Sequence, residues 1–98
     1  MIFVVTRMKV VSEKRMELSQ TIASLTGSIR KEKGCRRCDC CQSIDDENRL
    51  FLLEEWDTHE DFMTHLKSES FSVIRGAMNL LREPYERNHY TTKLIREE

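Results

Sequence analysis

The chain has 98 residues, a size that fits one domain spanning residues 1–98. A domain this short buries only about 60–65% of its unfolded surface, so a partner subunit would help complete its core. Sixteen Lys/Arg against seventeen Asp/Glu give a net charge of -1, which argues against a nucleic-acid-binding or membrane-surface protein.

Met1 to Val11 alternates as a strand, with Ile2, Val4, Thr6, Met8 and Val10 on one face. Its opening is apolar but has no basic stretch ahead of it, and Arg7 and Lys9 interrupt it. It therefore reads as a strand and not a signal peptide, and a cytoplasmic location is expected. Ser12 is placed to cap the following helix, with Glu13 in its first turn. Leu18, Ile22, Leu25 and Ile29 form an apolar stripe at helical period, and Gly34 is placed to end the segment.

Cys35 to Ile44 reads as a second strand, with Cys38, Cys40, Gln42 and Ile44 on one face and Arg37, Asp39, Cys41 and Ser43 on the other. Asp45-Asp46-Glu47-Asn48 is a turn, and Leu50 to Trp56 is a third strand that closes a hairpin. Thr58-x-x-Asp61 is a capping box in its Asp form, opening a helix with Phe62 and Leu66. Ser68-Glu69-Ser70 interrupts it. A further helix places Phe71, Ile74, Met78 and Leu81 on one side, Pro84 closes the region, and Tyr90 to Ile95 reads as the last strand.

This order, β-α-β-β-α-β, predicts a ferredoxin-like α+β fold: one antiparallel sheet with helices on one face. Apolar residues fall on both faces of the first strand, Ile2, Val4 and Met8 against Phe3 and Val5. Two such sheets packed face to face would cover the second apolar face, which predicts a homodimer.

Gly34-Cys35, the acidic turn Asp46 to Arg49, Glu54-x-Trp56, His65-Leu66 and Phe71 together resemble the antibiotic biosynthesis monooxygenase-like family, quinol-monooxygenase-like members included. The resemblance spans nearly the whole chain. It implies a dimeric α+β barrel whose subunits each hold a pocket between sheet and helices. It also implies oxidation of quinols or aromatic polyketides by molecular oxygen without metal or flavin. Other relatives degrade haem or isomerise small phosphorylated metabolites, so the fold does not fix the reaction. The haem-degrading branch uses an Asn on the first strand, a Trp, and a His on the helix after the Phe71 position. Here those places offer Thr6 and Arg7, Trp56, and Arg75, so the Trp alone is shared.

His65 is the candidate catalytic residue, because imidazole exchanges protons near neutral pH. Trp56, Phe62 and Phe71 are candidates for the pocket wall, although buried rings at such spacing also serve simply as core. Glu54 shares an apolar strand face with Leu50, Leu52 and Trp56, so it needs a partner such as His65 or an arginine. Arg75 is a candidate for holding an anionic substrate. Cys38 and Cys40 replace bulkier residues of the family pattern, which would enlarge the pocket. Cys40 and Cys41 point to opposite faces of a strand, so the four cysteines do not suit one tetrahedral metal site. No cofactor and no metal are expected. The alternatives to an oxygenase are a ligand-binding or thiol-sensing dimer without turnover, and a small-metabolite isomerase.

Overall fold

The computed structural model describes residues 1–97. Its elements are β1 (Ile2–Lys9), α1 (Ser12–Arg30), β2 (Cys35–Gln42), β3 (Arg49–Trp56), α2 (His59–His65), α3 (Glu69–Ala77) and β4 (Glu86–Thr91), with a 3-10 turn at Met78–Leu80 between α3 and β4. The strands form one sheet in the order β2-β3-β1-β4, and every neighbouring pair is antiparallel. The ferredoxin-like α+β fold expected from the element order is the fold observed.

The helices cover one sheet face. Residues directly opposite in an antiparallel pair share a face, and the register sorts the side chains accordingly. Val4 faces Glu54 on one side and His89 on the other; Thr6 faces Leu52 and Arg87; Ile2 faces Trp56 and Thr91. Cys38 lies opposite Glu54 and Cys40 opposite Leu52. This inner face meets Leu18, Ile22 and Ile29 of α1, Phe62 of α2 and Ile74 of α3 in one core. The outer face carries Phe3, Val5, Phe51, Leu53, Cys41 and Tyr90, beside an Arg37–Asp39–Glu55 ion-pair group with contacts of 2.8 and 3.4 Å.

Several local expectations need correction. α3 ends at Ala77, so Leu81 lies beyond the helix and bridges Val10 instead. The last strand is Glu86–Thr91, not Tyr90 to Ile95. β1 dictates this, because its register runs from Ile2 opposite Thr91 to Arg7 opposite Glu86, while Leu94 and Ile95 are exposed. Ser12 is the first helical residue of α1 and not its cap; its Oγ accepts from Asn48 Nδ2 at 3.0 Å. Pairing in β2 stops at Gln42, two residues short of Ile44, and Ile44 is fully exposed. A bulge at Arg36 turns Cys35 to the inner face opposite Trp56, where simple alternation would have sent it outward with Arg37.

Two local features place the second helical segment. Thr58 Oγ1 accepts from the Asp61 N–H at 3.0 Å, so the expected cap on α2 is formed. Gly34 has φ +81, and a methyl group there would run into the Asp61 side chain. Its carbonyl accepts from the Asp57 N–H at 2.8 Å, tying the end of β3 to the start of β2 directly beneath α2. A glycine is needed here for both its backbone angle and its bareness.

Candidate functional site

His65 ends α2 and is 1% exposed. Its ring stacks on Trp56 at 4.6 Å between centroids and meets Phe71 of α3 edge-on at 5.5 Å. Phe62, one turn earlier on α2, packs 6.4 Å from Trp56. Both imidazole nitrogens face carboxylates. Nδ1 lies 2.9 Å from Oε1 of Glu32 and Nε2 lies 3.4 Å from Oε1 of Glu54. Trp56 Nε1 donates to that same Glu54 oxygen at 3.1 Å.

Glu54 is buried because β3 alternation points it inward with Leu52 and Trp56. Burial pushes its carboxyl above the ordinary carboxylate range, and the repelling charge of Glu32 adds to that. The His65 charge, the Trp56 N–H and the Arg87 guanidinium act in the opposite direction. Glu32 differs in setting. It sits in the connection between α1 and β2, and its side chain is 22% exposed. A cleft of about 530 Å³ opens beside it, bordered by Glu32, His65, Asp61, Thr64 and Lys67.

The structure brings together His65, Trp56, Phe62, Phe71 and Glu54, and Cys38 stands directly opposite Glu54 on β2. Arg75 lies outside this group. It is exposed, with its guanidinium 5.3 Å from the centre of the Phe71 ring. Cys40 lies elsewhere too. With Cys41, Met16 and Leu50 it borders a separate cleft of about 370 Å³ between α1 and the β2 edge.

Sequence reasoning missed Glu32 and Arg87. Glu32 falls in the run Lys31-Glu32-Lys33, which reads as a solvated charge cluster. Arg87 falls in a stretch where no strand is expected. Its guanidinium stacks over Phe71 at 4.7 Å and Tyr85 at 5.1 Å. Between Arg87 and Leu52 across the sheet lies Thr6, whose buried Oγ1 has no hydrogen-bond partner among the described residues. A buried hydroxyl without a partner costs about 1–3 kcal/mol, and sequence gave only its inward orientation.

No disulfide links the four cysteines. Among the described residues, no group of three or more His, Cys, Asp or Glu side chains is arranged to hold a metal ion. Burial pushes the Cys38 thiol up to about 12, helped by the Glu54 charge opposite it, and the Cys40 thiol up to about 11. The reactive form of cysteine is the thiolate. Thiol titration of the native protein should therefore modify the exposed Cys41 first and Cys38 last; early modification of Cys38 would contradict its sealed position.

The sequence profile of the antibiotic biosynthesis monooxygenase family matches residues 1–77. A conserved protein of Methanosarcina mazei with a solved structure is 30% identical, with a TM-score of 0.88 over 94% of this chain and 92% of that one. A Nitrosomonas europaea protein that carries the antibiotic biosynthesis monooxygenase name is 22% identical, with a TM-score of 0.88 over 94% of this chain and 98% of that one. A Haloquadratum walsbyi protein that carries a heme-binding name is 33% identical over 73 residues, which is 74% of this chain but 14% of that protein. The matched segment holds Gly34, the Glu54-x-Trp56 strand end, His65 and Phe71, the residues just described around one imidazole, and the chain belongs to the antibiotic biosynthesis monooxygenase family.

Proposed function

We propose that the chain is a monooxygenase that oxidises a small aromatic or quinol with molecular oxygen, with His65 handling the proton. The observation that carries this reading is the His65 imidazole, 1% exposed, stacked on Trp56 and set between two carboxylates. A proton acceptor facing a phenol favours loss of its proton, while the aromatic side chains offer apolar contact to its ring. In this reading Trp56, Phe62 and Phe71 are the rings that would meet the substrate, and Arg87, stacked over Phe71, and the unpartnered Thr6 hydroxyl would supply polar points for a substrate oxygen.

The reaction closes without an external reductant. Loss of the phenolic proton gives an electron-rich anion, which passes one electron to O₂. The resulting radical and superoxide join through a new C–O bond at a ring carbon, and the stored proton returns to the peroxide. The O–O bond then breaks as the C–H proton leaves, so one oxygen stays in the hydroxylated quinone and the other departs as water. A general base is typically worth about 10²–10⁴ in rate. Oxygen uptake with a hydroquinone panel tests the reading. The expected result is one O₂ consumed per substrate with one labelled atom from ¹⁸O₂ in the product. An absence of uptake across the panel, or hydrogen peroxide formed in equal amount to oxygen consumed, would reject it.

Heme fits these residues less well. Both nitrogens of His65 already face carboxylates, and Arg75 occupies the helix position where the heme-degrading pattern needs a histidine. Thiol sensing is disfavoured by the raised Cys38 and Cys40 thiols.

The working unit of this reading is a homodimer closed through the outer sheet face, where Phe3, Phe51 and Leu53 are only half-buried in one chain. The wild-type chain should sediment as a dimer at micromolar concentration, and Leu53→Glu as a folded monomer. A wild-type monomer would remove this assembly.

A further inference from the structure

We infer that Glu32, His65 and Glu54 form a proton relay from the buried aromatic cluster around Glu54 to water in the surface cleft, with Glu32 as its outer end. The inference deepens the oxygenase reading and rests on it for the substrate end alone.

The geometry is a chain of three groups with graded exposure. Glu54 is 4% exposed, His65 1% and Glu32 22%. The imidazole spans the two carboxylates through its two different nitrogens, 3.4 Å on the inner side and 2.9 Å on the outer. A neutral imidazole has one N–H, so it can donate to one carboxylate only. The opposite nitrogen would then set a lone pair against carboxylate oxygen. Attraction on both sides requires one further proton, either on the ring or on Glu54. The trio therefore holds a proton that can sit at either end of the ring.

The two ends differ in what surrounds them. Glu54 Oε1 takes both the His65 and Trp56 contacts, while its Oε2 accepts no hydrogen bond from a described residue. On β4, His89 shares the Glu54 row and Arg87, one row along, is the cation whose charge acts on Glu54; Cys38 is the thiol opposite it on β2. Glu32 faces the cleft, where Lys33, Asp61, Lys67 and Glu69 share the border. A proton taken from a substrate hydroxyl at Glu54 passes to Nε2. The Nδ1 proton passes to Glu32, and from there to cleft water. The reverse run returns a proton for the departing water, so each turnover leaves the relay unchanged. His65 touches both carboxylates, and its cleft-side nitrogen Nδ1 is directed at Glu32 Oε1, which makes Glu32 a positioning and transfer residue that family resemblance and strand pattern do not single out.

A brace and a relay predict opposite signs in one measurement. If Glu32 only clamps the ring, Glu32→Gln loosens it, and the His65 ring N–H seen by ¹⁵N NMR exchanges faster with solvent. If Glu32 conducts protons, the amide holds the ring but cannot accept its proton, and exchange slows. The expected result in the unliganded protein is slowing of about tenfold in Glu32→Gln, with Glu32→Asp restoring most of the wild-type rate. Exchange that is unchanged or faster in Glu32→Gln would overturn the relay. In turnover with the hydroquinone panel, Glu32→Gln should lower kcat about tenfold and leave KM unchanged. An unchanged kcat would overturn the relay's catalytic use. Should the wild-type chain oxidise no member of the panel while exchange still slows in Glu32→Gln, the relay stands and the oxygenase reading falls.

Discussion

Replacing Trp56 by alanine is expected to lower stability by about 3–5 kcal/mol, the range for emptying a large aromatic from a core. Trp56 is 0% exposed and the largest of the fully buried side chains. Removing it takes the stacking partner from His65, the neighbour from Phe62 and the donor from Glu54 at once. Whole domains hold only about 5–15 kcal/mol, so the loss is a large share of the total. In a chain of this length each kcal/mol lowers Tm by about 4–8 °C. Calorimetry should show the full drop for Trp56→Ala and a smaller one for Trp56→Phe, which keeps a ring and loses the N–H. A Trp56→Ala protein that melts within a few degrees of wild type would mean that the site collapses around the missing ring and that Trp56 is not its keystone.

The second large effect is that of His65→Ala. In turnover it should cost at least about tenfold, the lower edge of what a proton-transfer group contributes. In stability it should cost about 3–5 kcal/mol near neutral pH, because it strips the buried Glu54 carboxyl of the imidazole that faces it. The pH dependence separates this from a simple cavity. Burial raises the Glu54 carboxyl in the folded protein, so the folded state favours the protonated form. Its stabilising contribution is complete below the ordinary carboxylate range and is lost as pH rises through the folded value. Without His65 the carboxyl is raised further, so His65→Ala should be closest to wild type in mild acid and furthest from it at neutral pH. Adding Glu54→Gln to His65→Ala should remove that slope and recover part of the loss. Denaturant melts at a series of pH values would show this; a His65→Ala deficit that stays constant with pH would assign the loss to packing alone.

How much of this could be read in advance divides along physical lines. The inner face of β1, the α1 stripe and the Thr58 cap depend on local periodicity and on one side chain within three residues, and all were legible. The burial of Trp56, Phe62 and Phe71 was legible for the same reason, since each sits on a periodic apolar face. β4 was not, because its inward positions hold Arg87 and His89, so the strand carries no apolar alternation. Only pairing with β1, some eighty residues earlier, defines it. Glu32 was hidden by distance as well: 33 residues separate it from the imidazole it meets, and nothing in Lys31-Glu32-Lys33 signals that one charge of the run turns inward. The Cys35 bulge escaped because one inserted residue resets alternation without altering composition.

The position of β4 at the sheet edge has a dynamic consequence. Its backbone is joined to β1, and its side chains reach the helices through Arg87 on Phe71 and His89 on Phe62 at 5.4 Å. β1, in contrast, is clamped from both sides. Amide hydrogens of β4 should therefore exchange by a sub-global opening that leaves the other three strands paired, while the β1–β3 amides wait for complete unfolding. Each such opening withdraws the Arg87 guanidinium from the neighbourhood of Glu54. The edge strand would then act as a breathing wall, with the charge balance of the buried carboxylate rising and falling as it peels and rejoins.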